Sequence, residues 1–203
     1  MPQKRWCGLI ALLLLSTLLM IIVGNVPSSI SKKGENLLKL LEGFSGSSYT
    51  GVDSQNLTIG YGHVINSEEL FEDELTEKEA AKLLKKDLQK YSTALHNFAV
   101  NNKIKLSQNQ YDALIIFSYQ LGPYIWEYED YDFIQLLKSK TWTNEQIIYE
   151  MGRFDISEQI AYEGLWKRRM NEALLFIYGE YHLYELEELE EIGYIWPKKD
   201  SLK

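Results

Sequence analysis

The chain has 203 residues, 45% of them hydrophobic and 13% aromatic, which is enough apolar material for one globular domain with a core of its own. Net charge is −8, and −10 once the two basic residues of the first 24 are set aside (19 minus 29), which argues against a general attraction to nucleic acid or to an anionic membrane. The only cysteine, Cys7, leaves the rest of the chain without a thiol, so disulfides, a Zn–Cys site and a Cys nucleophile are excluded there.

Lys4 and Arg5 precede an uncharged run from Gly8 to Gly24, rich in Leu and Ile and followed by Asn25, Pro27, Ser28 and Ser29. Its length lies at the lower limit for a spanning helix and the upper limit for a signal-peptide core, so residues 1–24 read as an export signal or a signal-anchor. The basic residues ahead of the run predict the N-terminus inside and the domain outside. Residues 25–33 read as a polar tether, 34–180 as the working domain and 181–203 as an acidic C-terminal tail. Neither a repeat nor a low-complexity segment appears.

Leu37, Leu38, Leu40, Leu41 and Phe44 recur at helical spacing, predicting a short helix with its Leu face inward and a left-handed cap at Gly43. Glu42 then falls in the last turn, where the helix dipole and apolar neighbours both disfavour ionisation and suit a general acid. From Tyr49 to His63, turn formers (Gly51, Ser54, Gln55, Asn56) precede Leu57, Ile59 and Tyr61 alternating with Thr58, Gly60 and Gly62, a β-hairpin pattern. Asp53 would lie in its turn, solvated and ionised. A protonated Glu42 opposite an ionised Asp53 is the division of labour that glycoside hydrolysis needs. Gly60 and Gly62 would let a polymer approach the strand closely.

Past an acidic loop (66–75), Thr76 with Glu79 makes a capping box opening a helix with the stripe Ala80, Leu83, Leu84, Asp87, Leu88, Tyr91, Leu95 and Phe98. Asp87 on that stripe needs a partner, and His63 is the candidate, a structural pair rather than a catalytic or metal one. His96 and His182 read as surface residues, and no His/Glu spacing makes a metal site. Ser107 with Gln110 makes a second capping box, and the helix it opens, to about Leu121, is apolar nearly all round and therefore central. Gly122-Pro123 stops it. Val64, beside His63, and Tyr119 and Gln120, at the helix end, are the expected sugar contacts. Two short helices follow, over Phe133–Leu137 and Asn144–Phe154. In the tail, six acids between Glu180 and Glu191, with Leu183, Leu186, Leu189 and Ile192 at threes, predict a short amphipathic helix.

Glu42-Gly43-Phe44, Tyr49 and Thr58-Ile59-Gly60-Tyr61-Gly62-His63 together resemble the signature of the phage-type lysozymes (glycoside hydrolase family 24), endolysins that cut peptidoglycan. Ser107 to Gly122 is similar to a second landmark of that family, and Gly164-Leu165-Trp166-Lys167-Arg168-Arg169 with Glu172 to a third. The resemblance implies a lysozyme-like α+β fold, mostly α, with a small N-terminal β-hairpin lobe and a helical lobe around a central buried helix. It also implies an N-acetylmuramidase with Glu42, Asp53 and Thr58 catalytic and Arg168 beside Glu42, where a cation would oppose the pKa shift argued above. No cofactor or metal is expected; the partners implied are peptidoglycan and, through residues 8–24, a membrane, with the protein a monomer. The chain departs from the pattern at one place: Glu42 to Thr58 is one residue longer than the family spacing, and the family's Asp position falls nearer Gly51. Either an insertion still delivers Asp53, or the second carboxylate is lost, which would fit a tethered wall-binding protein without catalysis.

Overall fold

The computed structural model describes residues 26–50, 56–71, 73–154, 156–157, 160–161 and 163–195. Within them the chain runs α1 (Lys32–Glu42), β1 (Ser45–Thr50), β2 (Leu57–Gly60), β3 (His63–Val64), α2 (Glu77–Asn101), α3 (Gln108–Leu121), a 3-10 turn (Pro123–Glu127), α4 (Asp132–Ser139), α5 (Asn144–Gly152), the two-residue strands β4 (Ile156–Ser157) and β5 (Ile160–Ala161), α6 (Glu163–Tyr178) and α7 (Leu186–Glu191). The fold is α+β and mostly helical, as expected. Asp53 and the apolar run 8–24 both lie outside the described residues, and among those described no helix is long and apolar enough to cross a membrane.

Ser31 caps α1 by accepting from the Gly34 amide at 3.1 Å. The cap is clamped to α3: the buried Asp112 carboxylate accepts from the Ser31 amide at 2.8 Å, from the Ser31 hydroxyl, and from Tyr181 Oη at 2.7 Å. A Cβ on Gly34 would lie 2.8 Å from that carboxylate, so glycine is the residue that allows the helix start to approach α3. Leu37 and Leu38 are buried, but Leu40 is 65% and Phe44 41% exposed, so the expected five-residue apolar face is narrower. The reason is that α1 packs chiefly against α3, which covers one side of it. Gly43 does end the helix with a positive φ of 70°, yet its ψ of 168° sends the chain straight into β1 instead of through a left-handed helical cap.

The expected hairpin is a three-stranded antiparallel sheet in the order β1-β2-β3, because His63 and Val64 fold back to pair with Ile59 and Thr58. β1 is irregular: Ser45 pairs with Gly60 and Tyr49 with Thr58, so four steps on β1 span two on β2. The inside–outside alternation expected of β2 is absent, since Thr58, Ile59 and Gly60 are all buried. Helix α2 lies against this strand and covers it. Gly60, at φ +69°, would carry a Cβ 3.1 Å from that of Ala80, so its lack of a side chain serves helix–sheet packing and not the approach of a polymer.

Both predicted capping boxes are present, at Thr76/Glu79 and Ser107/Gln110, and a third at Thr143/Gln146 opens α5. α3 is the buried axis, with Tyr111 to Tyr119 all buried, and α1, α2 and α6 pack around it. Where one amphipathic helix was expected from Glu180, only Leu186–Glu191 is helical. The preceding residues are kept out of the helix by other bonds: Tyr181 donates to Asp112, and Asn171 binds both the amide and the carbonyl of Tyr184, at 2.6 and 3.0 Å. Leu189 is fully buried against Trp166, Met170 and Leu174, while Ile192 is half exposed.

Candidate active site

Glu42 is the last residue of α1, at the edge where the sheet meets the helical body. Its Oε1 accepts from Arg168 Nη2 at 2.6 Å, so the Arg pair of α6 contributes one cation directly to it. Its Oε2 faces Gly62, where a Cβ would stand 3.1 Å from that oxygen and 3.4 Å from the Tyr119 ring; Gly62 has φ +87°. Both facts require glycine, and the bare backbone at Gly62 gives Glu42 its space. Three tyrosines sense this carboxylate. Burial and then Glu42 raise the pKa of Tyr49; burial, then Asp87 and Glu42 push Tyr91 up to about 12 and raise Tyr119 further.

Arg168 also donates from Nε to Glu172 at 3.1 Å. Burial works against its charge, but Glu42 and Glu172 together hold its pKa above the ordinary arginine value. Arg169, the other member of the pair, has 0% exposure: it donates to Glu172 at 2.9 Å and to Gln120 Oε1 at 2.7 Å, with its guanidinium 4.9 Å from the centre of the Phe117 ring. Burial lowers its pKa to about 10, still well above neutrality, and burial raises that of Glu172 in spite of both arginines. Glu172 was missed as a site residue, although its spacing of four from Arg168 and three from Arg169 places the three on one helix face.

On the far side of the groove His63 is bound at both ring nitrogens, Nδ1 to Asp87 at 2.8 Å and Nε2 to Glu69 at 2.9 Å. The Asp87 bond, acting against burial and reinforced by Glu69, raises the His63 pKa. Sequence reasoning pointed to Asp87 and missed Glu69, six residues on in an acidic loop where no pattern marks it.

Gly62, His63, Val64, Lys86, Asp87, Lys90, Tyr91 and Tyr119 line a groove of about 360 Å3. Val64 is half exposed on its rim. Tyr119 offers only its ring, because its hydroxyl donates to the Tyr61 carbonyl at 2.9 Å. Gln120 does not join it: turned toward Arg169, it lines a separate hollow with Leu40, Leu41, Leu165, Arg168 and Leu183. One residue around a helix is a turn of about 100°, which is why neighbours at a helix end serve different surfaces. Thr58 is buried in β2 opposite Tyr49 and Val64, its hydroxyl 3.4 Å from the Asn56 carbonyl. Among the described residues no cluster of His, Cys, Asp or Glu could hold a metal ion.

A helical body around one buried helix, with a small sheet flanking a groove beside a helix-terminal glutamate, is a lysozyme-like fold. Solved structures agree: an endolysin of Escherichia coli O157:H7 phage FAHEc1 is 24% identical, with a TM-score of 0.65 over 78% of this chain and 98% of its own. The muramidase domain of SpmX from Asticaccaulis excentricus is 25% identical, with a TM-score of 0.59 over 73% of this chain and 97% of its own. The phage lysozyme family model matches residues 39–172, and the chain belongs to that family. Among its relatives is an endolysin of Bacillus phage B103, 31% identical over 153 residues, 75% of this chain and 55% of the relative. The chain spans about half the length of the curated relatives from Bacillus phages that it matches.

Proposed function

We propose that the protein is a peptidoglycan hydrolase, an N-acetylmuramidase cutting the β-1,4 bond between N-acetylmuramic acid and N-acetylglucosamine. The observation that carries this reading is Glu42, fixed by Arg168 at the edge of the groove in a chain of the phage lysozyme family. Arg168 occupies Oε1, so the transferable proton belongs on Oε2, which faces Gly62, and goes from there to the leaving glycosidic oxygen. Asp53 and Thr58 complete the reaction in this reading by positioning and activating water on the opposite sugar face, an inverting geometry with carboxyls about 6.5–9.5 Å apart. The irregular pairing of β1 supports it, because a strand that already absorbs two extra residues accommodates an altered spacing before Thr58. His63, Asp87 and Glu69 brace the groove, and the rings of Tyr91 and Tyr119 form its wall.

Residues 1–24 act in this reading as an export signal or anchor that takes the domain, which extends from the Ser31 cap through α7, to the wall. Fractionation decides between them: an anchor leaves the chain in the membrane fraction, and processing before Asn25 releases it. The catalytic reading is tested by following new reducing ends from purified peptidoglycan with wild type, Glu42→Gln and Asp53→Asn. Both variants are expected to lose at least about a hundredfold in kcat. Full activity in Asp53→Asn would remove Asp53 from the mechanism, and wild type that binds without releasing reducing ends would make this a wall-binding protein.

A further inference from the structure

Helix α2 carries Lys78, Lys82, Lys86 and Lys90 at steps of four, so they climb the helix as one slowly winding ridge. All four are exposed, in a chain whose net charge is −8. Elsewhere among the described residues Lys32, Lys39, Lys138 and Lys167 each sit against a glutamate, while the scattered Lys33, Lys85, Lys103, Lys105 and Lys140 do not; what distinguishes α2 is four lysines on one line. Among the described residues Lys82, Lys86 and Lys90 form no ion pair. The helix has few acids to offer them: Glu79 gives its carboxylate to the Thr76 cap, and Asp87 gives its own to His63. Lys86 is close enough to weigh on Glu69, but that carboxylate is also held by His63. Like charges four residues apart weaken a helix, so the ridge opposes the stability of the element that bears it.

Its placement supplies a reason. Lys86 and Lys90 line the groove that contains Gly62 and Tyr119, while Lys82 and Lys86 line a second hollow of about 310 Å3 with Phe71, Leu75 and Leu83. Lys86 therefore belongs to both, and the ridge leads from the groove beside Glu42 along the outside of α2. The Lys90 ammonium, at the groove end, stands 5.2 Å over the centre of the exposed Tyr124 ring.

We propose that Lys82, Lys86 and Lys90 form a binding rail for the carboxylates of the peptide stems that branch from the glycan, an inference that rests on the muramidase reading of the groove. The sugars of such a strand are neutral; its anionic charge is on the peptides that leave alternate sugars. A strand lying in the groove therefore directs its stems over the groove wall, and the wall on this side is the lysine ridge. The acidic remainder of the surface repels the same stems, so the rail also sets the direction in which they leave.

The test measures binding by the full chain carrying Glu42→Gln, so that strands persist, with and without Lys86→Gln/Lys90→Gln. The probes are stem-bearing peptidoglycan freed of phosphate polymers, the same material with its stem carboxylates capped as neutral methylamides, and wall still carrying phosphate polymers. Free stem carboxylates are expected to strengthen binding about tenfold at low salt. That preference should vanish in the lysine variant and in high salt, and survive in Lys86→Arg/Lys90→Arg. Equal affinity for strands with free and with capped stem carboxylates, or a preference that persists without the lysines, overturns the proposal. Lysine dependence seen only with phosphate polymers overturns it too and assigns the ridge to them. The measurement reads binding alone, so a wild type that releases no reducing ends would refute the hydrolase reading without altering this result.

Discussion

Gly62 shows how one missing side chain shapes the site. With φ +87° and the space of a Cβ taken by Glu42 Oε2, Gly62→Ala is expected to lower kcat far more than it raises KM and to cost about 1–2 kcal/mol of stability from the backbone conformation alone. Steady-state kinetics and a denaturant titration on the same variant separate the two effects; an unchanged kcat would remove Gly62 from the neighbourhood of the reacting oxygen. His63 makes a prediction of pH dependence. Its raised pKa means that its bonds to Asp87 and Glu69 stabilise the fold fully below the ordinary histidine value of about 6.5, and that this contribution is lost as pH rises through the raised value. Glu69, whose pKa is lowered first by the His63 bond and then by the Asn66 amide, contributes above the ordinary glutamate value of about 4.3 and loses its contribution in acid. The Tm difference between wild type and His63→Asn should therefore be largest between these limits, near pH 6, and shrink toward alkaline pH. A difference independent of pH would contradict the clamp.

Helix α6 illustrates how an element transmits order to a residue elsewhere in the chain. Glu172 accepts from Arg168 and Arg169 together, so the arginine that holds Glu42 is itself held from within its own helix. Arg169 has no exposure, and replacing Glu172 by Gln would remove the carboxylate it touches and leave that cation with neutral acceptors and the Phe117 ring only. Loss of one partner from a buried pair costs roughly 3 kcal/mol, and Glu172→Gln should shift the denaturant midpoint accordingly with little change in slope. It should also lower kcat, because Arg168 keeps one of its two carboxylates. A variant as stable as wild type would mean that water or a rearranged Gln120 compensates Arg169. The resemblance placed Arg168 beside Glu42 beforehand, but the burial of Arg169 was not legible: an adjacent arginine reads as a wet residue until the packing of α6 on α3 is known.

At the scale of the whole molecule the chain end is part of the body. Leu189, fully buried under Trp166, Met170 and Leu174, joins α7 to the outer side of the helix that carries Arg168. Leu189→Ala is expected to cost roughly 2–4 kcal/mol, measured as a lowered Tm, and an unaffected Tm would mean that the tail is dispensable for stability. The elements that depend on local chemistry were readable from the residues alone: capping boxes at Thr76 and Ser107, the stop at Gly122-Pro123, and the all-apolar stretch that makes α3 central. Glu42 at a helix end was equally readable, because a leucine period ending in Gly43 leaves it no other place. What lay beyond reach depended on partners distant in sequence. The burial of three successive β2 residues, the non-helical start of the tail and the turn of Gln120 toward Arg169 all follow from contacts with α2, α6 or Asp112. Periodicity shows which side of an element is apolar, and capping shows where it starts. Only the tertiary structure decided which surface each side meets, because burial and pairing are properties of two segments at once and neither segment records them by itself.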